Sequence, residues 1–259
     1  MDPLLDFSDK VVLISGAASG FGKGLAKALA QRGAKLVLGD IDGAGLDAVA
    51  SCLREEGCDM TSQLCDVAKE EDCKALVDAA IKQFGRLDMA VNNAGVSQDF
   101  VNIENIDNVI IDQQLNVNVK GVMYALKHQI PVMRRQGRGA ILNVSSMAGL
   151  GGSPKLGAYA AAKHAVIGLT KTAAVENGRY GIRVNAICPF FTLTPMVLES
   201  DMVKAKGIDQ MKAFLARGAP MKRLGEPEEV VSTMVLILSP LNTYMTGQAI
   251  AVDGGVSAL

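Results

Sequence analysis

Residues 10–24 read K-V-V-L-I-S-G-A-A-S-G-F-G-K-G. The first six form a short apolar run, the pattern of a parallel strand buried on both faces. The run passes directly into Gly16, Gly20 and Gly22, and a helix is predicted over Leu25–Gln31, closed by Gly33. The spacing is G-x-x-x-G-x-G rather than G-x-G-x-x-G, but the physics is similar. A glycine turn lets backbone approach a pyrophosphate, which then sits at a helix N-terminus. Ser19 and Phe21 complete the loop. A glycine-rich surface turn would read the same way in isolation; the position between a first strand and a first helix favours the phosphate cradle.

Working outward, the next strand, Lys35–Gly39, ends in Asp40, eighteen residues beyond Gly22. A carboxylate there accepts both hydroxyls of an adenosine ribose and repels a 2′-phosphate, which favours NAD over NADP. Uncharged Ser19 and Ile41 agree. The alternative is that Asp40 caps a helix beginning near Gly43. Further on come a helix at Ala44–Glu56, a strand at Met60–Cys65 leading to Asp66-Val67, and a helix at Lys69–Phe84 followed by Gly85. A fourth strand, Leu87–Val91, feeds N-N-A-G at Asn92–Gly95. Such a tetrapeptide is commonly only a turn, but here it falls at the ligand-binding edge of an open parallel sheet.

Ile103 to Arg135 reads as largely helical, weakened at Gly121 and kinked at Pro131. A strand at Ala140–Val144, a helix at Gly157–Arg179 and a strand at Ile182–Cys188 follow. After an irregular or helical stretch at Met196–Arg217, a helix at Val230–Leu238 opens on E-P-E-E, and Gln248–Val252 is the last strand. The alternation predicts an α/β fold with one doubly wound parallel sheet of about seven strands and helices on both faces. It makes residues 1–259 a single domain, dinucleotide-binding by its glycine loop, with an insertion at about 190–217.

Composition narrows the functional classes. A formal charge of −1 over 259 residues, without a basic run, gives no reason to expect nucleic acid or an anionic membrane as partner. Five cysteines without a C-x-x-C pair and only two histidines argue against a metal centre. Reduced thiols, no apolar run of membrane-spanning length and no signal-peptide pattern point to the cytoplasm.

The chemistry-bearing stretch is Ile141–Thr170, I-L-N-V-S-S-M-A-G-L-G-G-S-P-K-L-G-A-Y-A-A-A-K-H-A-V-I-G-L-T. Ser145 and Ser146 end the strand; Tyr159 and Lys163 share a helix face, roughly 6 Å apart along the axis. A free tyrosine titrates near pH 10, and a nearby lysine cation favours the phenolate and lowers that value. A serine hydroxyl from the strand end would hold an alcohol or carbonyl oxygen against the phenol. Taken alone, Y-x-x-x-K also describes an ordinary helix with an exposed lysine and a half-buried tyrosine.

Taken together, these motifs resemble the short-chain dehydrogenase/reductase family along nearly the whole chain. S-G-A-A-S-G-F-G is similar to the family's T-G-x-x-x-G-x-G, with Ser15 for threonine. N-N-A-G, S-S thirteen residues before the tyrosine, Y-A-A-A-K, G-I-R-V-N-A-I-C-P and T-G-Q-A-I-A-V-D-G-G also match. The resemblance implies a catalytic tetrad of Asn118, Ser146, Tyr159 and Lys163. In it Tyr159 is the acid/base and Lys163 tunes it and holds the nicotinamide ribose. Ser146 orients the substrate oxygen, and Asn118 supports a water relay. It also implies dinucleotide contacts at Gly16, Ser19, Gly20, Phe21, Gly22, Asp40, Asp66, Val67, Asn93, Ala94, Gly95, Thr192 and Thr194, and a homotetramer.

The implied reaction is hydride transfer between NAD(H) and a secondary alcohol or ketone. A 3-oxoacyl-type reductase and a non-catalytic dinucleotide sensor are the alternatives. One position departs from the family: Pro189 is followed by Phe190 instead of glycine. Glycine there would allow positive φ, so the loop and the Thr192 contact are expected to differ. The ring either walls the substrate pocket or packs. The segment Phe190–Leu215 carries Phe190, Phe191, Met196, Val197, Leu198, Met202, Met211, Phe214 and Leu215, with no Lys or Arg before Asp201. With Met147, Ala148 and Leu150 opposite, it predicts a mostly apolar small-molecule pocket. Packing on the sheet or across a subunit boundary is the competing account.

Overall fold

A computed structural model describes residues 2–258, apart from the side chains of Met202 and Lys206, so the expectation for Met202 lies outside the described residues. The strands are β1 (Val11–Ser15), β2 (Lys35–Asp40), β3 (Met60–Leu64), β4 (Met89–Asn92), β5 (Gly139–Val144), β6 (Ile182–Pro189) and β7 (Ala249–Val252). They form one seven-stranded sheet in the order β3-β2-β1-β4-β5-β6-β7, parallel at every pairing. The winding reverses between β1 and β4, and a crevice opens beyond their carboxyl ends, where such sheets bind ligands.

β1 is buried along its whole length because helices cover both faces. Alternate residues point to opposite sides. Val12 and Ile14 join one core with Leu36, Leu38 and Leu142, while Val11 and Leu13 join the other with Val37 and Ile141. The first core is covered by α1 (Gly20–Ala30), α2 (Gly43–Glu55) and a late helix, Pro227–Leu238, through Leu25, Leu46 and Met234. The second is covered by α3 (Glu70–Phe84) and by the helices Gly121–Gln136 and Gly157–Asn177, through Leu76, Leu126 and Val166.

Four polar side chains cross the second layer. Asn92 donates to Asn143 (2.8 Å) and to Gln129 (3.3 Å), Gln129 donates back to Asn92 (2.8 Å), and Asn143 donates to Thr170 (2.9 Å). All four are buried, and each is partnered, as a buried amide requires.

Two elements differ from the sequence reading. First, α1 starts at Gly20 rather than near Leu25, so the glycine loop is only Gly16–Ser19 and the last two loop glycines lie inside the helix. Second, residues 103–136 are not one kinked helix. A short helix α4 (Asn108–Gln113) runs into a π-helical stretch, Gln114–Lys120, and then into α5 (Gly121–Gln136), which is assigned as helix through Pro131. The irregularity sits at Asn118, where an added residue re-aims a side chain, as π-bulges do. The insertion, read as irregular or helical, folds into three short helices, α7 (Pro195–Leu198), α8 (Asp201–Lys206) and α9 (Ile208–Ala216). Met211 and Leu215 there build a small separate core with Leu224, Phe191, Leu193, Val197 and Val203. The helix Gly157–Asn177 is α6 and Pro227–Leu238 is α10. Among the described residues no helix is long and apolar enough to cross a membrane.

Candidate active site

A cavity of about 1430 Å³ runs along the carboxyl edge of the sheet. It is lined at one end by Gly16, Ser19, Gly20, Phe21, Asp40, Asp66 and Val67. Asn93, Ala94 and Gly95 lie in its middle, and Ser146, Tyr159, Lys163, Thr192 and Thr194 at the other end, with Met147, Phe190, Phe191 and Met196. Of the expected dinucleotide and catalytic residues, Gly22 and Asn118 lie outside this lining, as do Leu198 and Met211 of the insertion.

The glycine end is a cradle that side chains would fill. Gly16 (φ +68) and Gly20 (φ +52) adopt left-handed backbone, available to glycine without steric cost. A Cβ on Gly22 would lie 2.0 Å from the Gly16 carbonyl oxygen, so Gly22 closes the loop on the helix rather than facing the cavity. Asn93 also works on the loop: its Nδ2 donates to the carbonyls of Ser15 (3.1 Å) and Gly16 (2.8 Å). Asp40 is not the cap of α2. That role belongs to Asp42, whose side chain accepts from the Gly45 N–H. Asp40 instead accepts the Ala18 N–H on Oδ2 (2.8 Å) and the Asp42 N–H on Oδ1 (2.9 Å). Each carboxylate oxygen keeps lone-pair capacity for a further donor. A tight loop at the start of α1, with a carboxylate at the next strand end, fits a nicotinamide dinucleotide, pyrophosphate on the loop and adenosine ribose on Asp40.

At the other end, β5 and α6 are laced together around Lys163. The Lys163 Nζ donates to the Val144 carbonyl (2.9 Å), and the Ser145 Oγ donates to the Lys163 carbonyl (2.8 Å). Lys163 is 5 % exposed, and burial pushes its ammonium down to about 8, against a smaller upward pull from the Cys188 thiol. Its Nζ lies 5.5 Å from the centre of the Tyr159 ring. The expectation that this cation lowers the tyrosine is not met in the protein alone. Burial raises the Tyr159 phenol above its ordinary value, only partly offset by a hydrogen bond with Ser146 and reinforced by Cys188. The reason is that a dry site penalises both charges. At neutral pH the phenol is therefore protonated, the form that donates a proton.

Asn118 stands one layer back. Its Oδ1 accepts the Val96 N–H (3.0 Å), and its Nδ2 donates to the Val96 carbonyl (2.8 Å) and to Gln114. A Cβ on Gly95 would lie 2.8 Å from the Asn118 Oδ1 and 3.5 Å from the Lys163 Nζ, so both groups converge on the same glycine.

Phe190 does not disturb the loop as expected. Its φ is not among the positive values, and its N–H donates to the Val252 carbonyl (3.1 Å), carrying the β6–β7 ladder one residue further. Phe190 meets Phe191 edge-on at 4.9 Å, and Phe191 stacks on Phe100 at 6.5 Å. Thr192, in the cavity lining, donates its Oγ1 to the Phe190 carbonyl (2.9 Å). The apolar residues of the insertion divide: Met211 is wholly inside the small core, whereas Met196 and Phe214 line the cavity.

Sequence reading missed Phe100, Gln98 and Lys155, which reach this cavity from loops after β4 and β5. Loop residues carry no periodicity to mark them, although the N-N-A-G edge motif immediately precedes Gln98 and Phe100. Lys155 adds a basic residue to the lining, where the stretch from Phe190 to Asp201 has no lysine or arginine.

Comparison with known proteins agrees with this geometry. A family model described as enoyl-(acyl carrier protein) reductase, of the short-chain type, matches residues 16–257. The chain belongs to the short-chain dehydrogenase/reductase family. Levodione reductase of Leifsonia aquatica is 38 % identical over 99 % of this chain and 97 % of that protein. A crystal structure of levodione reductase superimposes with a TM-score of 0.92 at 36 % identity, covering 97 % of this chain and 99 % of the other. Cyclohexanol dehydrogenase of Acinetobacter sp. (strain SE19) is 35 % identical over 97 % of this chain and 96 % of that protein. The 3-ketoacyl-(acyl-carrier-protein) reductase of Brucella melitensis, solved in complex with NADH, matches with a TM-score of 0.88 at 35 % identity over 97 % and 100 % of the two chains. The chain is thus an alcohol/ketone oxidoreductase of this family.

Proposed function

We propose that the protein transfers hydride between NAD(H) and a medium-sized, mostly apolar, ring-bearing secondary alcohol or ketone, with Tyr159 as acid/base. The observation that carries this reading is the shared cavity: the glycine cradle and Asp40 at one end, Ser146, Tyr159 and Lys163 at the other. The bound dinucleotide supplies the hydride carrier and, when oxidised, a positive charge. In the reducing direction Tyr159 gives its proton to the carbonyl oxygen while Ser146 holds that oxygen. In oxidation the Tyr159 phenolate, formed once the phenol has given up its own proton, accepts the hydroxyl proton and returns to the phenol. Lys163 secures the site through Val144, and Asn118 supports a proton path toward Lys163.

Asp40 supports NAD over NADP, because both of its oxygens keep acceptor capacity toward a ribose and none toward a phosphate. The aromatic wall of Phe100, Phe190 and Phe191 supports a ring-bearing substrate, in keeping with the cyclic compounds named for levodione reductase and cyclohexanol dehydrogenase. We further infer a cytoplasmic homotetramer, supported by the family resemblance and by five free cysteines.

The test is NADH fluorescence during incubation with NAD and a panel of secondary alcohols. kcat/KM should be clearly higher for a ring-bearing alcohol than for a short hydroxy acid. Tyr159→Phe should still bind NADH while turnover falls at least ~10²-fold. Preference for the charged acid rejects the substrate assignment, and near-parental turnover of Tyr159→Phe rejects the acid/base.

A further inference from the structure

α6, which carries Tyr159 and Lys163, begins without a cap of its own. Leu156 occupies the N-cap position and offers no side-chain acceptor, so the first-turn N–H groups lack the usual local partner. The Tyr159 N–H nevertheless has one. It donates at 2.7 Å to Oε1 of Gln98, sixty-one residues earlier in the chain. Gln98 is 8 % exposed, and its Nε2 reaches the carbonyls of Asp99 and Lys155, each at 3.4 Å.

Gln98 lies in the middle of a strap, residues 96–101, that is tied at every step. Asn118 holds Val96 by its N–H and its carbonyl, and Gln114 Nε2 donates to the Ser97 carbonyl at 2.9 Å. Phe100 stacks on Phe191, and the Val101 N–H donates to the Lys155 carbonyl at 3.0 Å. The strap therefore connects the π-helical turn, the start of α6 and the aromatic wall of the pocket. Gln98 makes the connection at the very residue whose side chain is the proposed acid/base.

We propose that Gln98 is a positioning residue for the reaction, setting the height of the Tyr159 phenol against Ser146 and the substrate-side strap. An ordinary N-cap serine or aspartate would satisfy an N–H but would tie α6 only to itself. A glutamine reaching in from the strap makes the tyrosine's main chain and the pocket wall one mechanical unit. Small displacements of a reacting group are costly to rate: about 1 Å of misplacement can lose on the order of 10²-fold. The inference rests on Tyr159 acting as acid/base.

The experiment compares the parent with Gln98→Met, which keeps volume and removes the acceptor, and Gln98→Glu, which keeps it. Tyr159→Phe is run alongside, all on a ring-bearing secondary alcohol with NAD. Gln98→Met should lower kcat about 10-fold or more, and Gln98→Glu should return it to within about 3-fold of the parent. NADH binding, read by fluorescence titration, should be unchanged in both, because Asp40 and the glycine loop lie at the far end of the cavity. A purely structural cap would lower the thermal midpoint of Gln98→Met and leave kcat of the folded enzyme untouched. An inactive Tyr159→Phe together with parental kcat in Gln98→Met overturns the positioning role, as does a Gln98→Glu enzyme no faster than Gln98→Met. A fully active Tyr159→Phe overturns the acid/base reading beneath it instead.

Discussion

Replacing Lys163 by methionine should alter stability in a way that depends on pH, and the sign follows from the site. Burial takes the Lys163 ammonium from 10.5 to about 8, which corresponds to roughly 3 kcal/mol of penalty on the folded, charged form. Between about pH 8 and 10.5 the unfolded chain still holds this proton and the folded chain has released it. Raising the pH across that window therefore favours the folded state. Below pH 8 the penalty is present in full. Lys163→Met removes it at every pH but leaves the Val144 carbonyl without its donor, a pH-independent cost of about 1–3 kcal/mol. At pH 7 the two effects nearly cancel or leave the variant slightly more stable, although it should have no useful turnover. The assay is urea unfolding of both proteins from pH 7 to pH 10, without dinucleotide, since ligand binding adds its own stabilisation. Tyr159 and the other titrating groups are common to both and drop out of the difference to first order. The parent should gain about 2–3 kcal/mol relative to Lys163→Met over that range. A difference flat across the range would refute the claim that Lys163 is buried as a penalised cation.

Asp40→Ala should weaken NAD binding at least about 100-fold, from the loss of two charge-assisted hydrogen bonds of about 1.5–3 kcal/mol each, and should narrow the preference over NADP. Fluorescence titration with both reduced coenzymes reads this, and equal use of the two by the parent would reject the assignment. Gly22→Ala should abolish dinucleotide binding and cost at least ~2 kcal/mol, because the new Cβ would lie 2.0 Å from a backbone oxygen. Gly24→Ala should be tolerated, since its Cβ meets only the Val231 Cγ2 at 3.2 Å and alanine favours the helix. Thermal melts of the pair test the contrast.

The sheet was legible because buried parallel strands are continuous apolar runs with glycine punctuation, as at Val11–Ser15 and Gly85. Helix starts were less so: glycines at 20, 22 and 24 argue against a helix locally, and the packing of Gly22 on Gly16 and of Gly24 beside Val231 is not visible in the sequence. Asn118 reads as an ordinary solvated or kinking asparagine until Val96 is seen to occupy both ends of its amide. The positions of Tyr159 and Lys163 follow from helical spacing, but the direction of the tyrosine's shift does not. That depends on how dry the site is, a property of packing that no four-residue spacing encodes. Gln98 was invisible for the same kind of reason, since its partner lies far along the chain.

The buried amide chain of Asn92, Gln129, Asn143 and Thr170 has a bearing on how the sheet finds its alignment. Where both faces of a strand are apolar, sliding it by one residue still buries aliphatic side chains on each side, so hydrophobicity alone barely distinguishes the correct pairing from its neighbours. Asn92 stands opposite Asn143 in the β4–β5 ladder. A one-residue slip would turn Asn143 to the other face and strand the remaining polar groups in a dry layer, each at about 1–3 kcal/mol. The four polar residues thus act as a vernier for an otherwise greasy and slippery sheet, and replacing them all with aliphatics should yield a chain that collapses readily but settles its strands less uniquely.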